Sequence, residues 1–470
     1  MIEDLIIGSG PTAWAAARGI ISRGGQPVII DFGQRPNVSK PSIKGSSALA
    51  VKGDSEREFL FGYPKSIVSS TDGRHLPISS ARGGLSKIWG AGILMRSQDE
   101  LNELSQIYDE IRLGYEALYQ LLPSTGIADQ TSRRFPLPKT DGKSPTSKRY
   151  EGLVESLQEK NSDVLVGYPR MAMKVASGAC VRCGSCLTGC PESLFFSADL
   201  FFREMELLRE CIFIEGPAVK IEGGDSHSTI RTPRETLKAR RVYLAAGPIA
   251  TPAILQRSGL APSTMTVQDS AVFYSSLVNF MPYSGDEDQF TSAHAVFFST
   301  INGAEDFQAA AYESNDEYTQ RLASSIPKLG RYLRSPKAVI KRINPIIGFL
   351  DSSVSGLLEL NYYGDRTWVT RQKNGQTRVA ANQAIRRIDR YLKGSGVRAL
   401  RGLAFVPSPG SGYHSGAAMP MGGNYVDYSG RLIQASSIQI VDATSLPKIP
   451  AGSHTFTAMA NAYRIGVMKS

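Results

Sequence analysis

Residues 2–31 read IEDLIIGSGPTAWAAARGIISRGGQPVIID, and the order of residue types in that stretch decides the fold. Leu5-Ile6-Ile7 and Val28-Ile29-Ile30 are short all-apolar runs, the pattern of parallel strands buried on both faces. The Ala-rich segment between them predicts a helix, and the turn that opens it is Gly8-x-Gly10-x-x-Ala13. Gly8 permits a tight turn, Gly10 lets the backbone approach a pyrophosphate, and the small Ala13 lets helix and strand pack closely. The helix N-terminus presents free N–H groups and a positive dipole end to phosphates. Asp31 ends the second strand, 23 residues after Gly8, and can accept hydrogen bonds from both ribose hydroxyls. A glycine pattern alone also fits an ordinary strand–helix turn. Strand, helix and acid together predict a dinucleotide site, and its place at the start of the chain favours FAD over NAD.

Working outward, 470 residues suit two domains. A hydrophobic share of 41% with 20% charged residues is globular and excludes wholesale disorder. The 45 glycines point to many turns and close backbone approaches to a ligand. Helices are expected over 97–122, near 148–160 and over 197–209, and 236–260 reads as strand, Ala-Ala-Gly turn and helix. Beyond Leu260 short β-rich runs alternate with polar turns, as in an antiparallel sheet, until a Gly-rich texture returns near 410. A cofactor domain assembled from 1–100, 165–262 and 408–470 is therefore expected, with a helical connection at 101–164 and a substrate domain at 263–407.

Four stretches, in order along the chain, resemble the glucose–methanol–choline (GMC) family of flavoenzymes. They are the N-terminal fingerprint, GGLSKIWGAG at 83–92, VYLAAGPIATPAILQRSGL at 242–260, and a C-terminal block from GYHSGAA at 412 to AYRIG at 466. The resemblance implies an α/β flavin-binding (Rossmann-like, GMC type) domain plus an inserted α+β substrate domain whose antiparallel sheet roofs the flavin. It implies oxidation of an alcohol, by analogy a sugar, polyol or glycoside, with a base taking the hydroxyl proton and a hydride passing to the flavin. The positions matching the family's paired histidines are His414 and His454. His414 is expected as the base and His454 as the group orienting the substrate oxygen. A neutral imidazole suits that task near pH 7. The other three histidines, at 75, 227 and 294, read as structural. Gly84 and Ser86 are expected to meet the flavin backbone-first, with Trp89 either beside it or in the core. Ala246 and Gly247 form the third turn, and Asp442 matches a position near the pyrophosphate or ribityl chain.

Cys180-x2-Cys183-x2-Cys186-x3-Cys190-Pro191 places four of the five cysteines within 11 residues, inside a loop at 178–192. This is the bacterial ferredoxin spacing, and soft thiolates so close together hold iron–sulfur or zinc. Zinc commonly uses two separated pairs, and no second pair is present. A [4Fe–4S] cluster is favoured. A [3Fe–4S] cluster, or Cys211 replacing Cys190, is the alternative. The loop is similar to that of iron–sulfur-bearing sugar dehydrogenases of the GMC family, and Cys183 departs from their pattern. A cluster would let the flavin discharge single electrons to an acceptor protein or quinone, which favours a dehydrogenase over an oxidase. A bracing cluster in an oxidase, reductase or isomerase, or an electron-transfer component without its own substrate, stays open at this point.

The net charge of +10 is concentrated. Between Glu317 and Asp351 lie Arg321, Lys328, Arg331, Arg334, Lys337, Lys341 and Arg342 with no acid. Such a stretch can meet an anionic membrane surface or a phosphorylated substrate, or can be a solvated face. No nucleic-acid motif accompanies it. The acidic start Met1-Ile2-Glu3-Asp4 and the lack of any apolar run near ~20 residues lead to the expectation of a cytoplasmic protein, peripheral at most on a membrane.

Overall fold

The computed structural model describes residues 1–33, 67–175, 179–184, 186, 190–280, 290–301, 304–314 and 342–468. The central sheet runs in the order Arg431–Leu432, Ala435–Ile440, Thr236–Leu244, Ile2–Ile7, Val28–Asp31, Ile212–Glu215. Along this order every pairing is parallel except that of Arg431–Leu432 with Ala435–Ile440. The Leu5-Ile6-Ile7 and Val28-Ile29-Ile30 runs are buried, as strands covered on both faces must be. The start, middle and end of the chain therefore build one sheet. Helix Pro11–Ser22 covers it together with the C-terminal helix Thr455–Val467. These helices cross so closely that a Cβ on Gly19 would sit 2.3 Å from the Tyr463 carbonyl oxygen.

A six-stranded sheet forms the roof, in the order Val397–Ala399, Val272–Asn279, Ile343–Leu350, Ala304–Ala311, Ala295–Ile301, Val164–Gly167. Every pairing in it is antiparallel. Val164–Gly167, from the edge of a segment expected in the flavin domain, completes this sheet. The strand period of two divides its residues cleanly. Phe273, Leu277, Phe297, Phe307, Ala309, Ile346 and Leu350 pack with helices Lys148–Leu157 and Thr377–Tyr391. Val272, Tyr274, Val296, Phe298, Gln308, Ala310, Ile347 and Phe349 face the opposite way, into a cavity. A third, five-stranded sheet joins Ser415–Gly416, Thr264–Asp269, Leu357–Tyr363, Arg366–Gln372 and Val68–Ser70.

The helix expected over 97–122 divides. Gln98–Ile107 is a 3-10 segment, with non-helical backbone at Leu101 and Leu104, and the α-helix covers only Tyr108–Leu121. The buried residues Leu101, Leu104 and Ile107 recur every third position, which matches three residues per turn. The basic residues from Arg321 to Lys341 lie outside the described residues, and Arg342 is exposed.

Candidate active site

The Gly8–Ala13 segment turns directly from strand Ile2–Ile7 into helix Pro11–Ser22. Gly8 has φ +109, and a Cβ there would lie 2.3 Å from the Ala245 carbonyl oxygen, so the first turn and the Ala245–Gly247 turn meet backbone to backbone. A Cβ on Gly10 would meet nothing within 4 Å, because Gly10 borders open space at the helix N-terminus. Helix Pro11–Ser22 has no acid in its first turn, which leaves its positive end uncompensated. Ala13, in the first turn of this helix, is fully buried. The Asp31 carboxylate borders the cavity and accepts the Gly33 N–H at 2.9 Å. Burial lifts its pKa to about 6, against hydrogen bonds to Gly33 and Ser9.

The second glycine turn docks on the first. Gly83 N–H donates to Ser9 Oγ at 2.9 Å, and a Cβ on Gly84 would lie 3.7 Å from Gly10 Cα. The Ser86 hydroxyl donates to Gly83 O and accepts the Ala198 N–H, so this side chain braces the turn while its backbone borders the cavity. Trp89 borders the cavity and packs on the core through Phe196, donating Nε1–H to the Phe196 carbonyl at 2.9 Å. Ala246 and Gly247 line the cavity too, the latter at φ +96. Asp442 is buried at the same wall. It accepts from Gly247 N–H at 2.8 Å, Thr251 Oγ1 at 2.5 Å and Thr444 N–H at 2.9 Å. Its carboxylate thus locks two turns together, and burial raises its pKa.

The cavity measures about 710 Å³, within the usual range for ligand sites, and runs from the Gly8–Gly10 turn to the roof. His414 and His454 both line it, with ring centroids 5.3 Å apart and planes at 85°. Burial pushes His414 down to about 4, aided by the nearby charge of Arg96. His454 is held well below the ordinary histidine value by burial, by His414 and by Arg96, against a hydrogen bond to the Ser415 backbone. Both rings are neutral at pH 7, and Nδ1 of each is buried without a hydrogen-bond partner in the protein. The remaining three histidines do not join them. His294 is buried between the Ser147 N–H and the Phe290 carbonyl, His75 is exposed, and His227 contacts Ser226.

Several supporting residues escape a sequence reading because they act across large separations. Phe349, on the roof, stacks on His414 with centroids 4.0 Å apart at 17°. Asp269, 1% exposed, accepts the Gly410 N–H at 2.9 Å and the Ser415 hydroxyl at 3.0 Å, and so grips both ends of the loop carrying His414. Ser270 N–H donates to the His414 carbonyl at 2.8 Å. Tyr413 inside this loop has φ +57, a left-handed backbone that a non-glycine residue adopts only under constraint. Arg96, buried at 2% exposure, places a fixed positive charge near both imidazoles.

All four loop cysteines are free thiols, and Cys183 is exposed. Burial raises Cys186 and Cys190, opposed by hydrogen bonds from Thr291 and Ser292 to Cys186 and from the Leu194 and Glu192 backbones to Cys190. Cys180 acts electrostatically on both, and Cys183 on Cys190, so the four sulfurs share one neighbourhood. Among the described residues, no three His, Cys, Asp or Glu side chains gather as they would around a single ion. Cys211 lies apart, buried in the central core, with its thiol pushed up to about 12 by burial. Met171 lines the cavity and also packs in the cluster that holds Cys180, Cys186 and Cys190. Met171 is thus common to the cavity wall and to the apolar cluster against which these cysteines pack.

Among solved structures the chain is similar to pyridoxine 4-oxidase from Mesorbium loti. The match has a TM-score of 0.60 at 15% identity and covers 99% of this chain and 98% of that one. The two proteins share a fold. That fold combines an α/β domain around a largely parallel sheet with an inserted antiparallel roof, the architecture expected from the sequence. No family model matches the chain, and no curated protein matches it in sequence. Among the described residues, no helix is long and apolar enough to cross a membrane.

Proposed function

We propose that the protein is an FAD-dependent oxidoreductase that oxidises an alcohol. The observation that carries this reading is the continuity of one cavity from the Gly8–Gly10 turn and Asp31 to a pair of neutral, buried imidazoles. The residues fit the cofactor. The open face of Gly10 and the helix N-terminus suit a diphosphate, and Asp31 suits a ribose. The Gly84–Ser86 and Ala246–Gly247 backbones supply a close-fitting wall. Bound FAD would supply a hydride acceptor at the roofed end.

The protein's own work there is proton handling and orientation. Stacking on Phe349 fixes the plane of His414, and Asp269 with Ser270 fixes its backbone. His454 is set at right angles by its place at the start of the C-terminal helix. A substrate hydroxyl between the two rings donates its proton to His414 and is oriented by His454. With so low a pKa, His414 takes the proton only as the carbinol carbon becomes a carbonyl and the O–H turns acidic. The apolar roof excludes water from that step.

The cysteine loop fits an iron–sulfur cluster as the finer part of the proposal. Four thiols in one neighbourhood repel one another when ionised, and the hydrogen bonds to Cys186 and Cys190 offset only part of the burial that raises them, so bound iron would supply the remaining stabilisation of the thiolates. In a [4Fe–4S] cluster each thiolate binds a different iron, so the sulfurs need not converge on one point. A cluster there would be a one-electron carrier, beside an apolar cluster that shares Met171 with the cavity wall. Cys211 takes no part in this reading, since it belongs to a different packing cluster. An acceptor protein or quinone is the proposed electron partner. Oxygen is the second reading, because pyridoxine 4-oxidase, which shares the fold, is an oxidase.

The test is anaerobic purification followed by flavin bleaching with methyl glucoside, glycerol, benzyl alcohol and pyridoxine. Reoxidation is then compared between oxygen and a one-electron dye. Bleaching by at least one alcohol is expected, with faster reoxidation by the dye and about four irons per chain. A colourless protein, or flavin that no alcohol reduces, defeats the reading.

A further inference from the structure

Behind the histidine pair lies a second cavity, of about 20 Å³. A single water needs roughly 10–15 Å³, so the space suits one molecule. Its polar walls are Arg96, Glu100, Glu103, Lys448, Thr457 and His454. His454 is the one described residue that lines both this cavity and the large one. On the inner side, Arg96 and Glu100 are buried 3.9 Å apart, and the Thr457 hydroxyl is 2.6 Å from that of Tyr115. At the outer side Glu103 and Lys448 pair at 3.1 Å with side chains 39% and 38% exposed, so the rim reaches solvent. Between the two cavities stands an imidazole, 4% exposed, whose Nδ1 makes no hydrogen bond within the protein.

We propose that this cavity binds a water and is the exit by which the proton removed from the alcohol leaves the closed site through His454. The inference rests on the alcohol oxidation proposed above and adds where its proton goes. The alcohol O–H bond breaks as an N–H bond forms on His414, and that N–H bond breaks in turn as one forms on the unprotonated ring nitrogen of His454. An N–H bond of His454 then breaks as an O–H bond forms on the cavity water, and the excess proton passes to bulk water beside Glu103 and Lys448. No electron moves in these steps, so they need no further oxidant or reductant. The arrangement has a physical motive. Cofactor and substrate fill the front cavity, and the fixed charge of Arg96 disfavours a lasting imidazolium. A proton in this site therefore needs a rear outlet. Glu100 and Glu103 orient the water by accepting from it, while Arg96 and Lys448 keep the carboxylates from retaining the proton.

The holoenzyme is mixed with the alcohol of the panel that bleaches it fastest, in weak buffer with a pH-indicator dye. Bleaching and proton release are followed together. In the wild-type protein, release keeps pace with bleaching and slows in D2O. Leu101→Phe puts a larger side chain against the small cavity, since Leu101 lines it and not the large one. Bleaching should persist in that variant, with proton release lagging about tenfold. Should Leu101→Phe fold poorly, Glu103→Gln combined with Lys448→Met alters only the exposed rim and should still delay release. Release that stays synchronous with bleaching in the folded variants overturns the proposal. If no alcohol bleaches the wild-type flavin, the functional reading has failed. An atomic-resolution structure then decides the cavity separately: an ordered water between His454 and Glu100 upholds the water site, and a dry cavity overturns it.

Discussion

Replacing Asp269 with Ala tests whether the His414 loop is held by a buried carboxylate. Asp269 is 1% exposed and accepts hydrogen bonds from the Gly410 N–H and the Ser415 hydroxyl. Deleting the acceptor strands two donors, each at about 1–3 kcal/mol. The carboxyl also titrates abnormally, because burial raises it from 3.8 to about 6 against those same hydrogen bonds and Arg371. That rise corresponds to about 3 kcal/mol. The sign follows from linkage. Below pH 3.8 the group is protonated in folded and unfolded chains alike and carries no ionisation penalty. As pH rises through the window from 3.8 to about 6, the unfolded chain ionises first, and the wild-type protein loses about 3 kcal/mol of stability. The variant has no such group. It should therefore be less stable than wild type by about 2–6 kcal/mol at pH 4, and the gap should shrink by about 3 kcal/mol at pH 7.5. Urea titration of the holoprotein at both pH values measures this. A gap that is constant, or that widens toward pH 7.5, refutes the reasoning. Flavin content should be unchanged, since Asp269 does not line the cavity, while flavin reduction by substrate slows about tenfold, or ~1.4 kcal/mol, as His414 loses its hold.

Removal of the base itself, His414→Ala, should leave FAD bound and slow its reduction by substrate about 10²–10⁴-fold in anaerobic stopped flow. With His414 pushed down to about 4, that reduction rate should stay level from pH 8 to pH 5 and fall only as pH drops through about 4; a midpoint near 6.5 would mean that the ring is not buried as described. Gly8→Ala should lose flavin and lower the melting temperature, because the new Cβ meets the Ala245 carbonyl at 2.3 Å on a left-handed backbone. Cys186→Ser should lose iron and the broad visible absorption, and Cys211→Ser should keep both, as iron assay and absorption spectra will show.

Much of the architecture is legible in the chain because it is locally encoded. The apolar runs flanking Gly8-x-Gly10-x-x-Ala13 dictate strand, turn and helix through interactions a few residues long. The β-rich texture after Leu260 likewise announces the antiparallel roof. The division of the 97–122 helix is the instructive difference. Apolar spacings of three and of four coexist there, and a helical reading absorbs both, while packing separates a 3-10 segment from an α-helix.

The site divides in the same way. His414, His454, Asp31 and the glycine turns stand out in sequence because each needs a particular residue type in a short motif. Phe349, Asp269, Arg96 and Met171 do not, since a phenylalanine, an aspartate, an arginine or a methionine is unremarkable until its neighbour from another segment is known. The sequence by itself determined where the residue types suited to the proposed cofactor, proton and iron chemistry stand, because those capacities are chemical and local. Only the tertiary structure decided that two histidines 40 residues apart share one cavity wall, that burial and Arg96 keep them neutral, and that His454 also borders a second cavity. Charge, burial and adjacency arise between segments, and the chain acquires them only on folding.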